Sequence, residues 1–237
     1  MRVDVIASVG EAIVDDLLHK TVVAIDVLRA TTVMTTALEQ GAEGIVPVET
    51  VAQARSLQQA GDLLGGERGC KKIPGFDYGN SPYEFLDGSI AGRRLIMTTT
   101  NGTRAIQKAQ KAGCVLAGSF RNAAACAKAA AALDKDIVLL CAGTQDVFSL
   151  EDGLCAGALL HEIRSVAKGV LAPNDFGLAM EAAFLQHRAN LTDTILNCSN
   201  GIRLTKLGYS QDVGFCTEIS VSSTVPKLHG HILKPIQ

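Results

Sequence analysis

The chain has no tryptophan, and aromatic residues fill only 4% of its 237 positions. Its core must therefore be built from valine, leucine, isoleucine and alanine, with 23 glycines among them. That balance suits helices lying closely on a sheet. Neither charge sign dominates: 22 Lys and Arg stand against 24 Asp and Glu, a net charge of -2, with no long run of either sign. A nucleic-acid partner would call for a basic face, so none is expected. Unbroken apolar runs such as 137–140 fall far below the ~20 residues that cross a bilayer. The first ten residues lack the charged-then-apolar pattern of a secretory leader. A cytoplasmic protein without a membrane partner is expected. The seven cysteines stand singly, with no C-x-x-C, which argues against a disulfide framework or a zinc knuckle. Disorder is excluded by the 47% hydrophobic content.

What is present alternates in period. Short apolar runs predict strands at 3–8, 21–25, 44–48, 95–98, 114–117 and 137–141. Helical spacing, often stopped by glycine, predicts helices at 30–40, 51–60, 102–111, 123–133 and 150–167. From about residue 174 the chain reads as mostly helical, with a last strand at 215–219. This β-α-β-α order predicts an α/β protein, a mainly parallel sheet covered by helices, with residues 1–237 as a single domain. The stretch 65–89 is rich in Gly and carries Pro74 and Pro82. It reads as a long loop, and such loops in compact domains usually carry function.

Polar residues cluster where strands end, which is where open α/β sheets bind ligands. The first cluster is Asp26, Arg29, Thr31 and Thr32 after the 21–25 strand. Asp can hold a metal or act as base or nucleophile, and Arg can clamp phosphate bidentately; the plainer reading is a helix cap beside a surface Arg. The second is Thr100, Asn101, Gly102, Thr103 and Arg104. Hydroxyls, an amide and a glycine that permits close backbone approach suit an anion cradle, although an Asn-Gly turn with a Thr cap would look alike. The third joins Glu67, which Arg68 could simply neutralise, to Asn80 and Ser81 in the long loop. The fourth sets Thr144 before Glu151 and Asp152. Adjacent helical positions point apart, so only one of these two acids is expected to face a site.

Several chemistries lack their residues. Position 28 is Leu where an aspartyl phosphatase of the haloacid dehalogenase type needs a second acid. No G-x-S-x-G or R-H-G occurs, and no Cys has an Arg six positions on; Cys198 and Arg203 fall one short. A catalytic cysteine is therefore not expected. His161 and His187 lie in helical patterns, and His229 and His231 have no carboxylate nearby in sequence.

The strings VVAIDVLRATT, GERG, IPGFDYGNSP, TTTNGTRAI and CAGT…FSLEDGLCAGAL, with the closing VGFC, together resemble the 2-phosphosulfolactate phosphatase family from about residue 21 to 226. The resemblance implies a three-layer α/β/α fold. It also implies a Mg2+-dependent phosphomonoesterase that turns 2-phosphosulfolactate into 3-sulfolactate and phosphate, a step towards coenzyme M. Combined with the clusters, it makes Asp26, Arg29 and Glu67 the expected catalytic residues, and Asp26, Glu67 and Asp152 the expected metal ligands. The substrate-binding set is Thr31, Thr32, Asn80, Ser81 and Thr144 with the run from Thr100 to Arg104. Arg29 is expected to serve the phosphate, and Arg104 a second anion of the same substrate. Direct attack by water is favoured over a covalent aspartyl intermediate, because the D-x-D is missing. The alternatives are an anion-binding protein without turnover and a nucleotide-binding α/β domain, the latter disfavoured by the absent Gly-rich phosphate loops. A small anionic substrate is the expected partner; homo-oligomerisation is left open.

Overall fold

The computed structural model describes residues 1–236. The first half of the chain runs β1 (Arg2–Ile6), α1 (Val14–Leu17), β2 (Thr21–Ile25), α2 (Ala30–Glu39), β3 (Gly44–Val48), α3 (Val51–Leu57), β4 (Leu63–Arg68), β5 (Lys71–Lys72), β6 (Arg94–Thr98) and α4 (Gly102–Ala109). It continues with β7 (Cys114–Gly118), α5 (Ala123–Ala132), β8 (Ile137–Cys141), α6 (Leu150–Val166), β9 (Ala172–Pro173), α7 (Asp175–His187), α8 (Leu191–Leu196), α9 (Ser199–Lys206), α10 (Ser210–Cys216), β10 (Pro226–His229) and β11 (Ile232–Pro235).

The strands share one sheet in the order β5-β4-β6-β3-β11-β10-β7-β2-β8-β1-β9. β2 pairs in parallel with β7 and β8, and β3 and β4 pair in parallel with β6. Burial on both faces explains the unbroken apolar strands. In β2, Val23 and Ile25 join a core with α5 and α6, while Val22 and Ala24 face a second core with α2 and α4. In β6, Leu95 and Met97 face that second core, and Ile96 a third with Ala54 of α3. The fold is thus three layers, α/β/α.

Two parts of the fold differ from expectation. The stretch 65–89 is not a plain loop: residues 63–68 form β4, hidden by its two glycines. Gly66 is there because the strand meets β6 closely; its φ is +147°, and a Cβ would stand 2.0 Å from the Thr98 carbonyl oxygen. The expected last strand at 215–219 is also absent. Val213 and Cys216, three apart, bury one face of α10. The final strands are instead β10 and β11, an antiparallel hairpin that joins β7 to β3 through Lys227–Leu116 and Leu233–Ile45. His229 and His231 belong to this hairpin and its turn.

The sheet is strongly curled. Five strand spacings separate β6 from β2, about 24 Å in a flat sheet. Yet Gly102, just past β6, packs against Asp26, just past β2: a Cβ on Gly102 would meet Asp26 Oδ2 at 2.7 Å. Four extended residues reach only about 14 Å, so the strand ends themselves must approach. The curl wraps around α2 and α4 and turns separate strand ends into one site. On the outer side α7 lies against α6, where Gly157 allows contact; a Cβ there would sit 2.1 Å from the Met180 carbonyl oxygen. This contact anchors the C-terminal helices that reach over the strand ends.

Candidate active site

A cavity of about 110 Å³ opens at these strand ends, and Asp26, Glu67, Glu151 and Asp152 all line it. Asp26 directly follows β2. Its Oδ1 accepts from the Ala30 amide at 3.1 Å, which ties it to the start of α2. Glu67 sits near the end of β4. Its Oε1 accepts from the amide and the hydroxyl of Thr100, both at 2.8 Å, and its Oε2 from the Cys70 amide at 2.7 Å. Arg68 does not neutralise it; that guanidinium bonds the Glu67 carbonyl instead.

Asp152 Oδ1 accepts from the Val27 amide at 2.9 Å, and Oδ2 from the Gly143 amide at 3.0 Å. Glu151 Oε1 accepts from the Asn200 amide group at 2.6 Å. Glu151 and Asp152 are each only 2% exposed, so the expectation that one of them points to solvent is corrected. They lie in the first turn of α6, and the cavity wraps around that helix end, so side chains about 100° apart both reach it.

Four buried carboxylates with so few cations nearby carry an electrostatic cost. Burial, with the charges of Glu67 and Glu151, pushes Asp26 up to about 7, against the opposing amides of Ala30 and Gly102. Burial again, with Glu151 and Asp26, holds Asp152 well above the carboxylate range. The starts of α2, α4 and α6 converge here, and their amide dipoles offset part of that cost.

Two cations line the cavity. Arg29 is 3% exposed. Its Nη1 donates to Asp212 Oδ2 at 2.5 Å, its Nη2 to the Cys70 carbonyl at 3.1 Å, and its guanidinium covers the Tyr209 ring at 4.4 Å. The other is Arg203, on α9. Asn80 Oδ1 is also at this wall, buried and without a hydrogen-bond partner.

The remaining expected residues divide. Thr100, Asn101 and Thr144 line the cavity, and Gly102 backs Asp26. Thr31, Thr32 and Thr103 turn away: their hydroxyls donate to the carbonyls of Asp26, Val27 and Thr99 and fasten the helix starts. Ser81 donates to Asp212 at 3.0 Å, so it supports the partner of Arg29. Arg104 is a correction. It does not line this cavity; it is half-exposed and pairs with Asp146 at 3.1 Å. As the third residue of α4 it points outward, while Thr103, Ala105, Ile106 and Ala109 take the buried face.

The sequence reading missed Glu151 as a wall residue, and with it Asn200, Arg203 and Asp212. The last three sit in the helical region after residue 174: Asn200 bonds Glu151 from 49 positions away, and Asp212 bonds Ser81 and Arg29 from 131 and 183 positions away. No local spacing links them. Cys198 lies one turn before Arg203, but its thiol is buried beside Glu151 and pushed up to about 12 by burial first and then by that charge. It is no nucleophile.

A profile of the 2-phosphosulpholactate phosphatase family matches residues 8–231. The chain belongs to this family. It is 39% identical over 226 residues to a probable 2-phosphosulfolactate phosphatase of Caldanaerobacter subterraneus subsp. tengcongensis, covering 94% of this chain and 93% of that one. A protein of the same name from Symbiobacterium thermophilum is 40% identical over 90% of this chain and 92% of its own. Another from Clostridium acetobutylicum is 35% identical over 98% and 100%.

Among the described residues, no group of three or more His, Cys, Asp or Glu side chains is gathered tightly enough to cage a metal. Mg2+ does not need such a cage. It takes hard oxygens, usually one or two carboxylates, with waters and substrate phosphate completing its octahedron. The carboxylates without cations and the unpartnered carbonyl oxygen of Asn80 are donors of that kind, so the residues fit the ion. No helix among the described residues is long and apolar enough to cross a membrane.

Proposed function

We propose that the protein is a Mg2+-dependent phosphatase that hydrolyses 2-phosphosulfolactate to 3-sulfolactate and phosphate. The observation that carries this reading is the convergence of Asp26, Glu67, Glu151 and Asp152 in one cavity, largely uncompensated by cations, in a member of this family. An anion receptor gains nothing from four acids unless a cation comes with the anion.

Glu67 and Asp152 would hold Mg2+, with Asp26 beside them, and the bound ion would supply charge neutralisation at the phosphate and a more acidic water. The chain's own residues do the rest. Backbone amides fix Glu67 and Asp152, so no side chain must reorganise when charge develops. Arg29, held rigid by Asp212 and Tyr209, presents the remainder of its guanidinium to phosphate oxygens. Thr100, Asn101 and Thr144 orient the ester. Asp26 takes the proton as water oxygen bonds to phosphorus and the ester P–O bond breaks; the leaving oxygen takes a proton from solvent water, and Asp26 returns its own to solvent. Water attack is preferred over an aspartyl-phosphate because the residue two beyond Asp26 is Leu28, which lines the cavity but cannot protonate a leaving group.

The test is phosphate release from 2-phosphosulfolactate, with Mg2+ and with excess chelator. Turnover that stops on chelation and returns with Mg2+ is expected. Undiminished turnover in chelator removes the metal role. Tight binding of the substrate with no release would instead identify an anion-binding protein.

A further inference from the structure

The cavity holds more negative than positive charge, yet the proposed substrate carries a sulfonate and a carboxylate besides its phosphate. Arg29 cannot serve them all, because Asp212 already compensates it within a fully buried pair. Arg203 differs in every respect. It is exposed, and among the described residues it makes no salt bridge and no side-chain hydrogen bond within the usual limits. Its guanidinium lies beside Gly69, which lines the same cavity; a Cβ there would meet Nη2 at 3.8 Å. The same side chain also lines an adjoining surface depression with Gly69, Ser199, Ile202, Lys206 and Leu207. No carboxylate lines that depression, whereas four line the inner cavity. The positive and negative parts of the site are thus separated in space, and Arg203 stands at their boundary.

We propose that Arg203 is the specificity residue for the non-transferred anion of the substrate, read apart from the phosphate that is cleaved. This deepens the phosphatase reading and rests on it. The transferred phosphate goes inward to the carboxylates and their cation; the second anion stays outward on Arg203, with Lys206 adding field from the next turn. An anion held there orients the ester without touching the reacting atoms. The interaction is the same in ground and transition states, so it acts mainly on KM.

The experiment compares full-length wild type, Arg203→Ala and Arg203→Lys, all with Mg2+. Binding of 3-sulfolactate and of inorganic phosphate is measured by calorimetry, beside turnover of 2-phosphosulfolactate. A lost charge-assisted hydrogen bond predicts sulfolactate binding weakened about ten- to a hundredfold in Arg203→Ala. Phosphate binding should change less than about threefold, and KM should rise more than kcat falls. Arg203→Lys should recover part of the loss, since a point charge remains. If Arg203→Ala weakens both ligands equally, or neither, Arg203 does not read the second anion, while the phosphatase reading stands. If wild type does not turn over 2-phosphosulfolactate, the phosphatase reading falls and this proposal with it.

Discussion

Arg29 and Arg104 hold similar places in the chain. Each lies beside the start of a helix that follows a parallel strand, among threonines, and each looks like an anion clamp. In the structure they have opposite fates. Arg29 immediately precedes α2, on the loop that crosses the strand end, and is buried at the cavity with its partner Asp212. Arg104 is inside the first turn of α4, on the face away from the core, and pairs with exposed Asp146. One residue before a helix and three residues into it differ by most of a turn. The two junctions are therefore not two cradles. The curl of the sheet folds them into one site, to which the first contributes charge and the second contributes Thr100, Asn101 and the side-chain-free approach of Gly102.

The sharpest way to probe the first junction is Asp26→Asn. Asparagine caps a helix as well as aspartate, so the variant should fold. Turnover should drop by a factor of ~100 or more, as when an acid-base or electrostatic group is lost. Stability should move the other way. The folded carboxyl titrates near 7 and the unfolded one near 3.8. Between those values the folded chain binds the extra proton, so metal-free stability falls as pH rises through that window. Metal-free Asp26→Asn should therefore melt higher than wild type at pH 8, by about 2–4 °C for each kcal/mol relieved. The two should converge at pH 4. A variant that melts lower at pH 8, or keeps its rate, would reduce Asp26 to a helix cap.

Arg29→Ala should come next in size. It leaves Asp212 buried with its charge unpaired, a loss of about 3–5 kcal/mol when one member of a buried pair is removed. Thermal melting should fall by at least ~6 °C. The double variant Arg29→Ala/Asp212→Ala should recover part of that loss, because the stranded charge is gone. A single variant melting within ~2 °C of wild type would show that the pair is not what holds α10 over the site.

The contrast also explains what could be read in advance. The parallel strands and their helices were legible because strands buried on both faces are continuous apolar runs and glycine stops helices. β2, β3 and β8 lie where the runs put them. β4 was hidden because Gly65 and Gly66 read as loop, and only the closeness of the Thr98 carbonyl explains the second of them. Asp26 was legible as an acid closing a strand, Glu67 as an acid in the Gly-rich stretch, and Asp152 as one of two adjacent acids on a helix. Asn200, Arg203 and Asp212 were not, since only the packing of α7 on α6 carries their helices to the cavity. The outward turn of Arg104 was legible in principle: Thr103, Ala105, Ile106 and Ala109 already mark the inner face of that helix.

The smallest effect is expected at Arg104, and it reverses the reading from sequence. Were Arg104 the clamp for a second anion, Arg104→Ala would harm 2-phosphosulfolactate turnover far more than hydrolysis of an ester without that anion. Its carboxylate partner is exposed, and exposed pairs contribute about 0–1 kcal/mol. Its guanidinium also lies outside the cavity wall. Arg104→Ala should therefore shift melting by less than ~4 °C and change kcat/KM by less than about threefold, a ~0.6 kcal/mol effect on the transition state, for either substrate. Arg203→Ala measured alongside supplies the scale. If Arg104→Ala proves the more damaging of the two on 2-phosphosulfolactate alone, the side chain must leave Asp146 and swing inward when substrate binds, and the two junctions would after all each deliver an arginine to the site.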